Sequence, residues 1–427
     1  MLTSNDSRTQ ALRSRLPVIV LCLVCSAFVA VLLATLGYER TWSLWNIQYL
    51  QPHFMDLRVV TAGADSVRAG LDPLFQNPTH PMDQPLNYPR LWQKLSYLGL
   101  SQSHTTALGL FVVAAFLVGL CAVLPAVGTG PLMLVGAGLL SPAVLLGIER
   151  GNIDLVMFSL VCLAVVMVAS LRFRGLAWLP ILLAAMLKLY PVFAGIVLVR
   201  SRGTILLRSL LALSLSFLVY LYFNLDDLKK ISEVTPRSHN LSYGVNVVWM
   251  KVQEHAPSAT LIARTLAMGL VAAVILVALL NRRRLAIVPD AGAATIHFEA
   301  FRAGAAIYLG SFLLGNNWDY RLMFLLLTLP QLWYWSRSKN FDSACPPWLC
   351  TALWVSVLIS MWHLVLKALL MSVPAGNGIA FLIDESCNWL LFAGLAWLLS
   401  LTLPLNWRRA MARQPLAREG TKPGFGA

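Results

Sequence analysis

Charged residues are scarce in this chain of 427 residues, at 12% of the total. A soluble domain usually carries about 25%, so much of the expected charge is missing. Hydrophobic residues make up 58% of the chain, and the mean hydropathy is +0.69. These values exclude a soluble globular protein, a disordered chain and a fibrous protein. They indicate an all-α polytopic membrane protein.

Histidine and cysteine patterns that would hold a metal ion or a disulfide framework are also lacking. The seven His residues show no ligand spacing, so we predict no metal site and no cofactor. The seven Cys residues are an odd number, and four of them, Cys22, Cys25, Cys121 and Cys162, lie inside apolar runs. This placement is typical of small core residues rather than of disulfides.

Long apolar runs occupy most of the chain. Predicted membrane-spanning helices lie at 16–37, 105–126, 131–148, 153–171, 205–223, 260–281, 348–371 and 386–404. Stretches 175–200 and 301–335 each have a polar break in the middle. We interpret both as broken pairs of short helices that return to the side they left. The sequence therefore predicts one membrane domain, 1–427, with about twelve membrane segments.

The distribution of charge predicts the orientation of these segments. With both broken pairs returning, one face holds 19 of the 33 Lys and Arg residues and only five of the 19 acids. Excess positive charge marks the cytoplasmic side. The tails 1–16 and 405–427 are therefore predicted to be cytoplasmic, and the long loops 38–104 and 224–259 extracytoplasmic. The expected location is the cell inner (plasma) membrane.

Ionisable residues near membrane depth are costly and are functional candidates by default. In the first outer loop, apolar residues at helical spacing over 56–69 predict an amphipathic helix along the membrane interface. Asp56 lies at its start, close to the end of the first span. A solvated acid or a helix cap is the simpler interpretation, and it applies more strongly to Asp65 and Asp72.

Three further polar clusters interrupt the apolar runs. Their candidate residues are Glu149, Arg150, Asn152 and Asp154 in the first; Lys188 and Tyr190 in the second; Asn317, Asp319 and Arg321 in the third. A helix-capping turn would also explain Asn152 and Asp154, and a local ion pair would explain Asp319 and Arg321. As a set, Arg150, Lys188 and Arg321 place three cations on one side of the membrane, which suits a phosphate or diphosphate.

The order and spacing of these motifs are similar to those of a known family. An acid shortly after the first span, the segment Gly-Leu-Asp-Pro at 70–73 and Asn-Tyr-Pro at 87–89 fit this pattern. The pattern continues with three further motifs: Glu-Arg-Gly-Asn-Ile-Asp at 149–154, Lys-Leu-Tyr-Pro at 188–191 and Asn-Asn-Trp-Asp-Tyr-Arg at 316–321. Over most of 17–335 the chain resembles the polyprenyl-phosphate-mannose-dependent alpha-mannosyltransferase family, of GT-C architecture.

The resemblance implies a membrane glycosyltransferase of the cell envelope. It implies transfer of a sugar, with mannose favoured, from a polyprenyl-phosphate donor to a hydroxyl of a glycolipid or glycan acceptor on the extracytoplasmic face. Asp56 occupies the position of the family's catalytic base. Arg58 and Tyr88 lie nearby in the first loop and, with the residues of the three clusters, are expected to bind substrate.

Two other functions share some of these features. A transporter or lipid flippase would also have broken helices and buried charges, although polar residues here gather toward one face and no internal repeat is detected. A structural membrane scaffold would leave the polar clusters without a role. No nucleic-acid partner is expected, because the positive-inside rule accounts for the net charge of +14.

Overall fold

The computed structural model describes residues 4–201, 203–238, 240–281, 293–338 and 345–403. The fold is 78% helical. In the described part of the chain, the sheet structure is a single antiparallel pair of two-residue strands, in which Ser242 pairs with Trp318 and Tyr243 pairs with Asn317. The prediction of an all-α membrane protein is confirmed at this level.

The helices follow one another along the chain with short connections in most places. The α-helices are α1 (Ser4–Leu36), α2 (Tyr38–Ser43), α3 (Met55–Arg68), α4 (Thr105–Val123), α5 (Thr129–Leu139), α6 (Pro142–Arg150), α7 (Asp154–Ala169), α8 (Trp178–Leu187), α9 (Gly203–Phe223), α10 (Leu225–Val234), α11 (Val245–His255), α12 (Thr260–Asn281), α13 (Ala293–Leu314), α14 (Leu329–Arg337), α15 (Pro347–Met361), α16 (His363–Leu370) and α17 (Gly376–Leu401). The 3₁₀ segments are Arg90–Leu98, Gln102–His104, Arg174–Leu176, Tyr190–Arg200, Pro257–Ala259 and Asp319–Leu327, and the strands are β1 (Ser242–Tyr243) and β2 (Asn317–Trp318).

Five helices are long and apolar enough to cross a membrane, because about 20 apolar residues match the hydrocarbon core. These helical stretches are Arg13–Leu36, Gln102–Val123, Gly203–Phe223, Pro257–Leu280 and Gly376–Leu401. Two bent pairs, α5 with α6 at 50° and α15 with α16 at 67°, raise the number to seven when each pair is one span. By length and composition the described helices thus supply five to seven spans, and the remaining predicted segments are shorter.

The final span differs from its predicted bounds. The sequence predicts it at 386–404, directly after Asp384 and Glu385. The helix instead begins at Gly376 and contains both acids, which are buried at 9% and 5% exposure. A buried acid inside a helix cannot be distinguished from a terminating acid by hydropathy alone.

Both polar breaks interrupt helical structure where the sequence predicts. Helix α8 ends at Leu187, and Lys188 has an extended backbone with φ −164° before the 3₁₀ segment from Tyr190. Helix α13 ends at Leu314, and Gly315 then adopts φ +112° before β2. Pro191 explains the first break, because it has no N–H to donate to the carbonyl of Leu187 four residues earlier and its ring clashes with that carbonyl.

The amphipathic helix of the first outer loop is α3, and it is more enclosed than predicted. Nine of its 14 residues are buried, because the loop that follows folds over it. A Cβ on Gly63 would lie 3.6 Å from Leu86, and Asn77 donates to the carbonyl of Val59 at 3.3 Å. The loop therefore holds the start of α3 against the membrane helices.

A column of buried aromatic rings lies at the centre of the helix bundle. Phe116 of α4 contacts Phe158 of α7 at 4.7 Å between ring centroids, and Phe158 contacts Phe324 at 5.5 Å. Tyr190 meets Phe324 edge to face at 5.8 Å. These contacts join α4, α7 and both 3₁₀ segments that follow the breaks, so they fix the positions of the polar clusters relative to one another.

Candidate functional site

Five separated parts of the sequence meet at one end of α7. The parts are the start of α3, the loop that follows α3, the turn between α6 and α7, the break after α8 and the break after α13. The side chains that they bring together are Asp56, Tyr88, Arg150, Asn152, Asp154, Lys188, Tyr190, Asn317, Tyr320 and Arg321. We call this set the Asp56 cluster.

The turn between α6 and α7 has a backbone that only glycine suits. Gly151 has φ +59°, and a Cβ there would lie 2.8 Å from the Cβ of Phe54. The turn lets the backbone nitrogen of Asn152 donate to the carbonyl of Gly147 at 2.9 Å. The side-chain oxygen of Asn152 accepts from the backbone nitrogen of Asp154 at 2.9 Å. Asn152 thus closes the turn that leads into α7, although the residue directly before the helix is Ile153.

The same asparagine also contacts the candidate base. The side-chain oxygen of Asn152 accepts from Asp154, and its Nδ2 donates a short hydrogen bond to Oδ2 of Asp56. Asp56 lies deep among protein atoms, but its side chain remains partly exposed, whereas Asp154 has 0% exposure. Burial raises the pKa of the Asp56 carboxyl, and the charge of Arg150 and the bond from Asn152 oppose that rise.

Asp154 holds two cations at the centre of the cluster. Its Oδ1 lies 2.6 Å from Nζ of Lys188, and its Oδ2 lies 3.3 Å from Nε of Arg321. Arg321 also donates through Nη1 to the side-chain oxygen of Asn317. One fully buried carboxylate thus faces two positive charges, and Asp56 is the second acid of the cluster. Arginine and lysine are the usual protein partners of phosphate groups, so this pair of side chains can bind an anion.

Three tyrosine rings enclose these cations. The ammonium of Lys188 lies 5.2 Å from the ring of Tyr88 and 5.5 Å from that of Tyr320. The guanidinium of Arg321 lies 4.6 Å from the ring of Tyr190. Cation–π contacts stabilise charge without neutralising it, so the two cations keep their capacity to bind an anion. Tyr320 was identified in the break but was not expected as a binding residue.

Glu149 and Arg150 contact the chain that follows α2. Oε1 of Glu149 accepts from the hydroxyl of Tyr38 at 2.9 Å and from the backbone nitrogen of Leu50 at 2.8 Å. Arg150 lies 3.2 Å from Glu149 and donates to the carbonyl of Gln48 at 2.8 Å. Glu149 is therefore a structural anchor of this loop. Arg150 keeps its Nη1 without a hydrogen-bond partner among the described residues.

Two of the predicted site residues point elsewhere. Arg58 donates to the carbonyl of His53 at 3.0 Å and to Gln102 at 3.3 Å, so it fastens the ends of the first outer loop. Asp319 is nearly fully buried, and its Oδ2 lies 3.2 Å from Nε2 of His363. The interpretation of Asp319 and Arg321 as a local ion pair is therefore wrong. The two side chains project in different directions, Arg321 toward Asp154 and Asp319 toward His363.

Two other acids of the first outer loop, Asp65 and Asp72, form ion pairs rather than acting as the solvated acids or helix caps considered from the sequence. Asp65 pairs with Arg68 one turn along α3. The carboxylate of Asp72 accepts hydrogen bonds from both terminal nitrogens of Arg90, at 3.0 and 2.9 Å. Asp56 is thus the acid of this loop that reaches the cluster.

An apolar groove of about 490 Å³ lies between α1, α4 and α6. Its walls are largely aliphatic, with Val29, Leu117 and Ile148 among them, and its polar end carries Tyr38 and Glu149. Phe54, two residues before Asp56, also lines it. The sequence did not predict the groove, because it is formed by helices that are uniformly apolar.

Comparison of the chain with family models, with curated protein sequences and with solved structures gave no significant match.

Proposed function

We propose that the chain is an integral membrane glycosyltransferase that moves a hexose from a polyprenyl-phosphate donor to a hydroxyl of a lipid or glycan acceptor. One observation carries this proposal: a partly exposed Asp56 lies in the same cluster as Asp154, the buried carboxylate that two cations, Lys188 and Arg321, share. A base and an anion site in one cluster are the two elements that transfer from a sugar phosphate requires.

The proposed reaction is a direct displacement at the anomeric carbon. Asp56 accepts the proton of the acceptor hydroxyl while that oxygen forms its bond to the sugar. The bond between the anomeric carbon and the phosphate oxygen breaks, and its electron pair leaves with the lipid phosphate. Lys188 and Arg321 face the oxygen on which negative charge increases, so they stabilise the transition state more than the bound donor.

The groove supports a lipid-linked donor. An isoprenoid chain is apolar and long, and an aliphatic groove beside α1 would bury part of it at about 25 cal/mol per Å². The groove ends at Tyr38 and Glu149, and Arg150 extends from there toward Asp56. We propose that the chain of the donor occupies the groove while its phosphate reaches the cluster.

The orientation belongs to the same proposal. The charge distribution along the sequence favours about twelve membrane segments in a GT-C-like bundle, with the two broken pairs returning to the side they left. The first outer loop then contributes interfacial helices, the Asp56 cluster faces the extracytoplasmic side and both termini are cytoplasmic. The proposed location is the plasma membrane, where polyprenyl-phosphate sugars are accessible at the outer leaflet.

Sugar transfer by purified protein tests the proposal. The protein is incubated in nanodiscs with a radiolabelled polyprenyl-phosphate mannose and a membrane lipid extract, and labelled products are separated from the donor. We expect transfer by the wild type and a loss of about 10²–10⁴ in turnover for Asp56→Asn, the usual contribution of general-base catalysis. Asp65→Asn, in the same helix but paired with Arg68, is the matched control and should keep near wild-type turnover.

Two results would contradict the proposal. If Asp56→Asn keeps more than about a tenth of the wild-type rate, the loss of rate is smaller than the least that general-base catalysis usually contributes. That result would exclude Asp56 as the base. Movement of the labelled lipid across a liposome bilayer by both proteins, with no product formed, would identify a flippase instead.

A further inference from the structure

A second polar cavity, of about 280 Å³, lies beside the last two helices. Helix α16 contributes His363 and Lys367, and the second outer loop contributes Lys251 and His255. Asp384 of α17 lies in its wall at 9% exposure. These side chains belong to none of the clusters identified in the sequence, and none of them is used in the proposed reaction.

The cavity is separated from the Asp56 cluster by the break after α13. On one side of this segment Arg321 contacts Asp154, and on the other side Asp319 contacts His363 at 3.2 Å. His363 also places its Nδ1 3.1 Å from the carbonyl of Ser360. Asp319 therefore lies between the two sites. The chain continues from it to Arg321 in the Asp56 cluster, while its side chain contacts His363 of the second cavity.

Most charged groups around the cavity have a neighbour of opposite character. His363 faces Asp319 at 3.2 Å, and a further buried acid, Glu385, adjoins Asp384 on α17 without lining the cavity. Lys251 is paired with Glu254 at 3.0 Å. This leaves Lys367, which forms no ion pair with any described carboxylate, and Asp384, whose Oδ1 accepts from Asn388 at 3.1 Å.

Lys367 and Asp384 carry opposite formal charges, and the acids Asp319 and Glu385 lie nearby, so the cavity gives no net attraction to an anion. The buried carboxylate of Asp384 would in addition repel one, since like charges in a low-dielectric site interact strongly. The cavity therefore favours a neutral ligand over a phosphate or a carboxylate.

The polar groups also match a particular kind of neutral ligand. Lys367 supplies donors and Asp384 supplies acceptors, while the side-chain amides of Asn240 and Asn377 supply both. A hydroxyl group both donates and accepts, so a molecule with several hydroxyls would satisfy this mixed set. Phe381 adds an apolar ring to the wall, against which the C–H face of a sugar ring can pack. The volume is just below that of pockets for drug-sized ligands and suits a monosaccharide unit.

We propose that this cavity binds a neutral saccharide unit of the acceptor, on the far side of the 317–321 segment from the donor phosphate. The assignment to the acceptor rests on the proposed glycosyltransferase function, whereas the binding itself does not. The site would hold an acceptor sugar away from the one that is glycosylated and would thereby select acceptors by length.

Gly378 allows the cavity to be filled without disturbing its walls. This residue lies in the first turn of α17 and lines the cavity, and a Cβ there would have no heavy atom within 4 Å. We expect Gly378→Trp to fold normally and to occupy the cavity. Leu382→Trp is the matched control, because Leu382 is one turn further along the same helix, is 64% exposed and does not line the cavity.

Saturation-transfer difference NMR in nanodiscs measures the binding directly, with methyl α-mannoside and methyl α-glucoside as probes. An Asp56→Asn background removes turnover. We expect a saccharide signal that falls at least tenfold with Gly378→Trp, persists with Leu382→Trp and is not displaced by inorganic phosphate. Absence of a signal, a signal unchanged by Gly378→Trp, or displacement by phosphate would each overturn the proposal.

The transfer assay distinguishes failure of this site from failure of the proposed function. If both hold, Gly378→Trp raises KM for an oligosaccharide acceptor at least tenfold and leaves KM for the donor unchanged. Normal transfer with normal acceptor KM in Gly378→Trp overturns the saccharide site alone. Saccharide binding by a wild-type protein that forms no product overturns the glycosyltransferase and keeps the binding site.

Discussion

At the scale of single residues, Asp56 combines two properties that rarely occur together in a loop acid. It is deep enough for burial to raise its pKa, and yet the residue remains partly exposed. A base with a raised pKa accepts a proton more readily at neutral pH than an ordinary carboxylate does. The neighbouring Asp154 has no exposure and two cations as partners, so it cannot take this role.

The raised pKa of Asp56 predicts the pH dependence of transfer. Activity requires the charged carboxylate, so kcat/KM should fall as the pH decreases through its pKa, at a pH above the ordinary value of 3.8. Asp65→Asn should leave this acid limb in place. An acid limb at or below the ordinary value would show that another group acts as the base. The measurement is a pH profile of kcat/KM with the labelled donor.

The same shift predicts how Asp56→Asn affects stability. Folding raises the pKa of Asp56, so the folded state holds this proton more tightly than the unfolded state, and the charged form costs stability above that pKa. Asparagine removes the charge. We therefore expect a thermal unfolding midpoint at neutral pH that is equal to or above that of the wild type. A clear decrease would instead indicate that the carboxylate has a structural role.

Gly151 is a second residue with a testable requirement. A non-glycine residue at positive φ costs about 1–2 kcal/mol, and an added Cβ would also overlap Phe54 at 2.8 Å. Gly70→Ala is the matched control, because Gly70 has φ +79° but open space around its Cβ position. We expect both variants to lower the unfolding midpoint and Gly151→Ala to lower it more. Only Gly151→Ala should reduce transfer, because it displaces Asn152; equal effects would mean that the turn does not position the cluster.

At the scale of elements, Arg90 connects the two outer loops. Besides its two bonds to Asp72, its Nε lies 2.6 Å from Asp227 of α10. Partly exposed ion pairs contribute only about 0.2–1 kcal/mol each, so global stability should change little in Arg90→Lys. Lysine cannot reproduce the bidentate geometry, and the loop should therefore open more often.

Hydrogen exchange measures this opening. We expect faster exchange in 69–98 and in α10 for Arg90→Lys. Lys229→Gln is the control, since the Lys229 side chain is 73% exposed and pairs only with Asp226 within α10. Exchange in 69–98 that is the same in both variants would show that the loops do not depend on Arg90 for their association.

At the scale of the whole molecule, the orientation in the membrane is the main prediction. A cysteine in place of Lys229, in the second outer loop, should react with a membrane-impermeant maleimide in intact cells. One in place of Arg283, which lies outside the described residues, should react only after permeabilisation. The wild type, with its seven native cysteines, gives the background. Labelling of both sites in intact cells, or the reverse pattern, would exclude the extracytoplasmic position of the Asp56 cluster.

The sequence by itself determines the class of the molecule and the composition of its cluster. Scarce charge and long apolar runs require a membrane bundle, and the polar interruptions at 149–154, 188–191 and 316–321 mark its irregular segments, because isolated polar groups are costly among apolar residues. Local rules also identify Gly151 and Pro191 as the residues that shape two of these interruptions.

Only the tertiary structure decides which charges meet. Arg321 pairs with Asp154, 167 residues away, rather than with Asp319 two residues away. Asp319 and Arg321 lie in a 3₁₀ segment, where residues two positions apart project in different directions. The packing of α7 and α16 supplies their partners. The second cavity depends in the same way on Asp384, which hydropathy places outside the last span and packing places inside it. The sequence specifies which polar residues lie close together along the chain. Helix packing determines which of them share a buried space.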